Sequence, residues 1–161
     1  FLKKEDYTII HNGYDTSFLL EDPNRIVPVD AMRVLEKEGV ARMHNAFLST
    51  TGLTTNVTNS TAIGRGMAAY IKSHAIDAAI LTSTCATSTR CGAVIAKELE
   101  RDGIPVVQCC NMTPVAHAVG VSRIMEAPSI KYPFGRPSVP LQEEKAARIE
   151  MLRRALKYLT E

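Results

Sequence analysis

The sequence predicts an α/β fold, a parallel-sheet three-layer sandwich of the flavodoxin or Rossmann kind, in one compact domain. Three observations carry this reading. Residues 76–81 and 104–110 are short apolar runs of buried-strand length. Between them, residues 91–101 place Cys91, Val94, Ile95 and Leu99 on one helical face, and Gly103 supplies the stop. A strand, a helix and a strand joined by short links form a βαβ unit, whose right-handed crossover gives a parallel sheet.

The remaining elements follow from the same rules. Residues 30–38 read as a short helix with Asp30 as cap and Gly39 as stop. Residues 46–52 read as a strand running into a loop. Residues 58–75 are helical in pattern, with apolar side chains at 63, 67, 71 and 75. Gly64 and Gly66 each oppose that helix by about 1 kcal/mol relative to Ala. The stretch 128–140 holds four prolines and is expected to be extended, over the surface or across a partner. From 142 to 160 the chain forms an amphipathic C-terminal helix with Ile149, Leu152, Leu156 and Leu159 on one stripe. Core packing is the expected use of that stripe, with a dimer seam as the alternative.

Composition narrows the function. At 161 residues, 45% hydrophobic and 22% charged, the chain is sized and balanced for a globular domain. It has no run approaching the roughly 20 apolar residues of a membrane span. Nineteen Lys and Arg against 17 Asp and Glu leave a formal charge of only +2, and Trp is absent, so nucleic acid is not the expected partner. Four cysteines in this length do not make a disulfide scaffold, and the N-terminus has no secretory h-region. A reduced, cytoplasmic setting is expected. The first residue is Phe, which suggests a fragment or processed subunit of a longer protein. Neither a GxGxxG nor a Walker A pattern occurs, so no cofactor is expected on this chain.

In open parallel sheets, ligands bind outside the carboxyl ends of the strands. Three polar segments meet there: 49–61 with Thr51 and Asn56, 82–90, and 109–114. The central one holds Thr84, Cys85, Thr87, Ser88 and Arg90. A cysteine at a helix start faces unpaired N–H groups and the positive dipole end, which lower its pKa and expose a nucleophilic thiolate. Its bland alternative is a small buried hydrophobe. Cys109 and Cys110 alternate across a strand end, so only one can face the pocket, and the sequence leaves open which. No CxxC pair exists, so a structural metal site is not expected. His117 follows the strand and is a further candidate. His44 and His74 fit solvated or capping roles, and residues 11–15, with His11 and Tyr14, form a turn-like polar cluster around Asn12-Gly13.

Residues 85–92, Cys-Ala-Thr-Ser-Thr-Arg-Cys-Gly, resemble the selenocysteine-Gly-Thr-Cys-Thr-Arg-Cys-Gly signature of the component B selenoproteins of glycine, sarcosine and betaine reductases. D-proline reductase has a related subunit. His11-Asn12-Gly13-Tyr14-Asp15 is similar to the family's His-Gly-Gly-Tyr-Asp; Val27-Pro28-Val29-Asp30, the 103–107 segment and the closing helix also match. The family's proteins are longer, so the resemblance is to their C-terminal, catalytic portion. It implies reductive cleavage of a C–N bond in a small amino acid or quaternary amine. Cys85 then stands for the selenocysteine nucleophile, Cys91 for a resolving thiol, and Arg90 for a carboxylate holder. Thr84, Thr87, Ser88, His11, Tyr14, Thr51, Asn56, Cys110 and His117 would line the substrate site. A pyruvoyl-containing partner subunit would activate primary and secondary amines as imines, and a carrier or redox protein would complete an oligomeric complex. Ser88 replaces the signature's middle cysteine and Ala86 its glycine. Two other readings are a non-catalytic substrate-binding homologue and a two-cysteine racemase or isomerase, the latter requiring a second thiol facing Cys85.

Overall fold

The computed structural model describes residues 4–50 and 55–160. Its centre is a parallel sheet of three strands, β1 (Ala79–Ser83), β2 (Val106–Cys110) and β3 (Ile124–Glu126), in the order β1-β2-β3. β1 and β2 run in register from Ala79 opposite Val106 to Ser83 opposite Cys110. All five residues of β2 are buried, as a strand covered on both faces requires. Their alternation divides the core. Val106 and Cys110 pack with α3 (Val57–Ser73), α4 (Ala86–Arg101) and α5 (Thr113–Val119). Val107 and Cys109 pack on the other face with α2 (Val29–Lys37) and α6 (Leu141–Tyr158). The result is the expected three-layer α/β sandwich, with α1 (Ser17–Glu21) beside the second layer.

The α6 stripe lies in the core: Leu152 is fully buried, and Ile149, Leu156 and Leu159 pack around it. Gly39 (φ +74°) and Gly103 (φ +80°) occupy left-handed positions just past α2 and α4, which is why those helices stop there. Gly64 has a packing reason. A Cβ there would lie 2.9 Å from the Glu98 Cβ and 3.2 Å from the Ile95 Cα, so its absence lets α3 lie close against α4.

Several expectations need correcting. The helix expected from residue 91 begins at Ala86, because the Ser88 hydroxyl accepts the Thr84 N–H and donates to the Cys85 carbonyl, closing the first turn. Asp30 does not cap α2. It sits inside the first turn, and its carboxylate takes the Arg148 guanidinium at 2.5 Å. Residues 46–50 form no strand and are exposed; 51 and 52 lie outside the described residues. The proline-rich 128–140 segment stays mostly at the surface, but not along its whole length. It turns inward and buries Pro133, Phe134 and Gly135, with Phe134 inside the α2/α6 core. The sequence reading also passed over α1, α5 and β3, each of seven residues or fewer.

A buried ionic network joins distant parts of the chain. Arg25 clasps Glu144 with two hydrogen bonds, 2.8 and 3.0 Å. Arg148, fully buried, binds Asp22 at 2.7 Å, Asp30, and the Phe134 carbonyl at 3.1 Å. Among the described residues, no helix is long and apolar enough to cross a membrane.

Candidate functional site: a cysteine at the head of a helix

β1 ends at Ser83, and the chain turns through Thr84 and Cys85 into α4. α4 links β1 to β2 and α5 links β2 to β3, so both begin at the carboxyl edge of the parallel sheet, and Thr55, just ahead of α3, is held there by Arg90 and Cys91 of α4. Cys85 is the N-cap residue of α4, in extended geometry (φ −76°, ψ 175°). It is half-buried, while the other three cysteines are buried.

The thiol titrates at about 7. Burial pushes it up, but that is outweighed by hydrogen bonding from the Ser88 N–H, the His11 side chain, the Ser88 hydroxyl and the Thr87 N–H. The sulfur makes no strictly aligned cap bond of the kind Asn56 makes in α3, so these amides act on it as a convergent field. The single Ser88 proton also serves the Cys85 carbonyl at 3.0 Å and is shared between the two acceptors.

His11 is held for this role. Its Nδ1 accepts the Gly13 N–H at 2.9 Å, which leaves the ring proton on Nε2, free to be donated to the sulfur. The imidazole stacks on Tyr14 with ring centroids 3.8 Å apart. Burial raises the Tyr14 phenol above its ordinary value; a hydrogen bond with Thr84 opposes that, and the Cys85 charge adds to it. Tyr14 therefore keeps its proton at neutral pH, close enough to Cys85 to feel its charge. Cys85, His11, Tyr14, Thr84, Thr87 and Ser88 thus form one constellation, although residues 11 and 85 are far apart in sequence.

The other expected site residues lie elsewhere. Arg90 is exposed on α4, and its guanidinium donates to the Thr55 carbonyl at 3.1 Å. The Cys91 thiol donates to the same carbonyl at 3.2 Å and is only 7% exposed. Both therefore anchor the entry to α3. Asn56 caps α3, its side chain accepting the Asn59 N–H at 2.7 Å. Thr51 lies outside the described residues. Cys110 is corrected: it is fully buried in the α3/α4 core, and burial pushes its thiol up to about 11, so it offers nothing to a ligand. Cys109, on the opposite face, is raised further, by burial and by Cys110. His117 is exposed in the last turn of α5, which carries it away from the edge where that helix begins. The other three cysteines are at 7% exposure or less, so among the described residues Cys85 is the one partly open thiol. Among the described residues, no cluster of three or more His, Cys, Asp or Glu is gathered for a metal ion. Two concavities, of about 570 and 780 Å³, lie at the opposite edge of the sheet, beside Pro105 and Asp77. The Cys85 site is marked by its chemistry rather than by depth.

Sequence reasoning missed the polar layer beneath the cysteine. Gln108, Ser83 and Thr89 are buried at 0%, 3% and 0% exposure. The available signal was a glutamine in the middle of an otherwise apolar strand.

Comparison with known proteins assigns the family. The family model described as glycine/sarcosine/betaine reductase selenoprotein B matches residues 1–84, ending one residue before Cys85. The chain belongs to this family. It is 42% identical over 160 residues to the glycine reductase complex component B subunit gamma of Carboxydothermus hydrogenoformans, covering 99% of this chain and 37% of that protein. It is 43% identical over 159 residues to the sarcosine reductase complex component B subunit beta of Peptoclostridium acidaminophilum, covering 98% of this chain and 36% of that one. The D-proline reductase subunit gamma of Acetoanaerobium sticklandii is 30% identical over 122 residues, covering 73% and 50%. The chain thus spans little more than a third of the component B relatives it matches. No solved structure matches it. The relatives' names describe subunits of reductase complexes.

Proposed function

We propose that this chain is the part of a component B-type reductase subunit that carries the nucleophile, and that Cys85 attacks the α-carbon of glycine, a glycine derivative such as sarcosine or betaine, or a D-proline-like amine. The carrying observation is the Cys85 thiol at about 7, half-buried at the head of α4 with His11, Ser88 and Thr87 converging on it. Cys85 stands where the family signature has selenocysteine. At neutral pH about half of it is thiolate, against a few per cent of an ordinary cysteine.

The step is a displacement. The thiolate electron pair forms the S–C bond, the C–N bond breaks, and its pair departs with the amine, which takes up a proton. The product is a thioether on Cys85, and this step is redox-neutral. The two electrons of the net reduction come from a dithiol carrier protein, which receives the carbon fragment. For a primary or secondary amine, a pyruvoyl group on a partner subunit would supply the electrophilic carbonyl that makes the nitrogen a better leaving group. On this chain, Tyr14 and Thr84 offer hydrogen-bond donors beside the attacking sulfur, and the α4 N-terminus favours an anionic substrate group there. Arg90, tied to Thr55, is not needed for that role.

The test is mass spectrometry of the protein in its reductase complex after incubation with isotopically labelled glycine, sarcosine or betaine, with the carrier withheld. A labelled carbon fragment on the Cys85 peptide, absent in Cys85→Ser, is expected. Turnover undiminished in Cys85→Ser would show that the sulfur is not the nucleophile.

A further inference from the structure

Gln108 is the middle residue of the central strand, fully buried and polar. Its amide nitrogen donates to the Ser83 hydroxyl at 3.0 Å and to the Thr89 carbonyl at 2.9 Å. Ser83 is the last residue of β1, two before Cys85. Thr89 lies in the first turn of α4, and its N–H donates to the Cys85 carbonyl at 2.8 Å, the first helical bond. One side chain therefore holds both ends of the seven-residue turn that presents Cys85, and reaches Cys85's own carbonyl through two successive hydrogen bonds. Gly92, the last residue of the signature, is explained by the same contact. A Cβ there would lie 2.6 Å from the Ser83 Oγ and 2.8 Å from the Gln108 Nε2. The arrangement is kept at a cost, since the Gln108 Oε1 and the Thr89 Oγ1 are both buried without a hydrogen-bond partner.

We infer that Gln108 is a positioning residue for the reactive cysteine: it sets the height of the first turn of α4 against the sheet, and Gly92 is glycine because the amide occupies the space of its side chain. The inference rests on the reading of Cys85 as the reactive thiol. Gln108 touches no substrate. It acts by keeping the Thr87 and Ser88 amides aimed at the sulfur, so its loss is read in the titration of Cys85 and not in stability alone.

The experiment measures the pH profile of Cys85-specific alkylation in the whole chain, by peptide mass spectrometry, alongside thermal melts by circular dichroism. Gln108→Met, which keeps length and removes both donors, and Gly92→Ala, which displaces the amide, are compared with wild type. The expected result is an upward shift of the midpoint by about one pH unit in both, so that alkylation at pH 6.5 is about fivefold slower or more and converges with wild type above pH 9. A Gln108→Met protein that melts cooperatively and keeps the wild-type midpoint overturns the inference. If Gln108→Met does not fold, Ser83→Ala, which removes one of the two anchors, decides in the same way. A wild-type midpoint near that of an ordinary thiol overturns the reading of Cys85, and this inference with it. An unchanged midpoint in the variants overturns this inference alone.

Discussion

Cys85 and the burial around it set two opposing forces on one atom. Burial alone would keep the thiol protonated; donors from Ser88, His11 and Thr87 reverse the balance and bring it to about 7. Its reactivity should rise as pH passes upward through 7 and level off near 8, where free cysteine is still gaining. His11→Ala removes one donor, so the midpoint should move up, by about half a unit to one unit, measured by rates of alkylation against pH. Ser88 both closes the first turn of α4, through Thr84 and the Cys85 carbonyl, and donates to the thiol. Ser88→Ala should therefore cost about 1 kcal/mol in chemical denaturation and raise the same midpoint, whereas a residue that only closed the turn would do the first without the second. At this scale the sequence was legible where chemistry is local. Cys85, Thr84, Thr87 and Ser88 follow from a polar strand-to-helix turn. Residues 11–15 by themselves predict only a turn; among sequence signals, the family resemblance alone points His11 and Tyr14 to the site, because no local rule joins residues 11 and 85. Cys110 was misjudged because alternation says which face a strand residue takes, not whether a helix covers that face.

The packing of α3 on α4 depends on a missing side chain. Gly64 looks like a helix weakness in sequence, yet the Cβ it lacks would overlap the Glu98 side chain and crowd the Ile95 backbone. Gly64→Ala should thus destabilise the protein, by about 1–3 kcal/mol, despite alanine's higher helix propensity, while Gly66→Ala, with open space around it, should be neutral or stabilising. Comparing the two by urea unfolding separates packing from propensity. The βαβ unit, α2, α3 and α6 were readable because long amphipathic patterns and glycine stops declare them. α5 and β3 were not, because seven and three residues carry too little periodicity. The proline-rich 128–140 segment misled for a different reason. Its prolines do exclude regular structure, but Phe134 still enters the core, which composition cannot show.

The molecule as a whole is fastened by Arg25, Glu144, Arg148, Asp22 and Asp30, which connect the N-terminal segment, α2, the 134–136 turn and α6. A buried guanidinium left without its acids, or acids left without it, is costly, so Asp22→Asn or Arg148→Met should lower stability by about 3–5 kcal/mol if only one partner is removed. Burial raises the Asp22 and Glu144 carboxyls, but hydrogen bonds from Asn24 and Arg148 to the first, and from Arg25 and the Arg136 N–H to the second, hold both below their ordinary range. Because the folded values are depressed, this contribution is complete above the unfolded carboxylate pKa near 4 and is lost as pH falls through the folded values. Unfolding midpoints in urea should accordingly hold steady from pH 7 to 5 and drop below 4, more shallowly in Arg148→Met. Burial across the molecule also ranks its thiols: one half-open and acidified, three enclosed. Competitive alkylation of all four cysteines in the folded chain at pH 7, quantified peptide by peptide, tests that ranking directly. Cys85 should be modified at least tenfold faster than Cys91, Cys109 or Cys110, and a Cys85 rate no greater than theirs would contradict the assignment of the nucleophile.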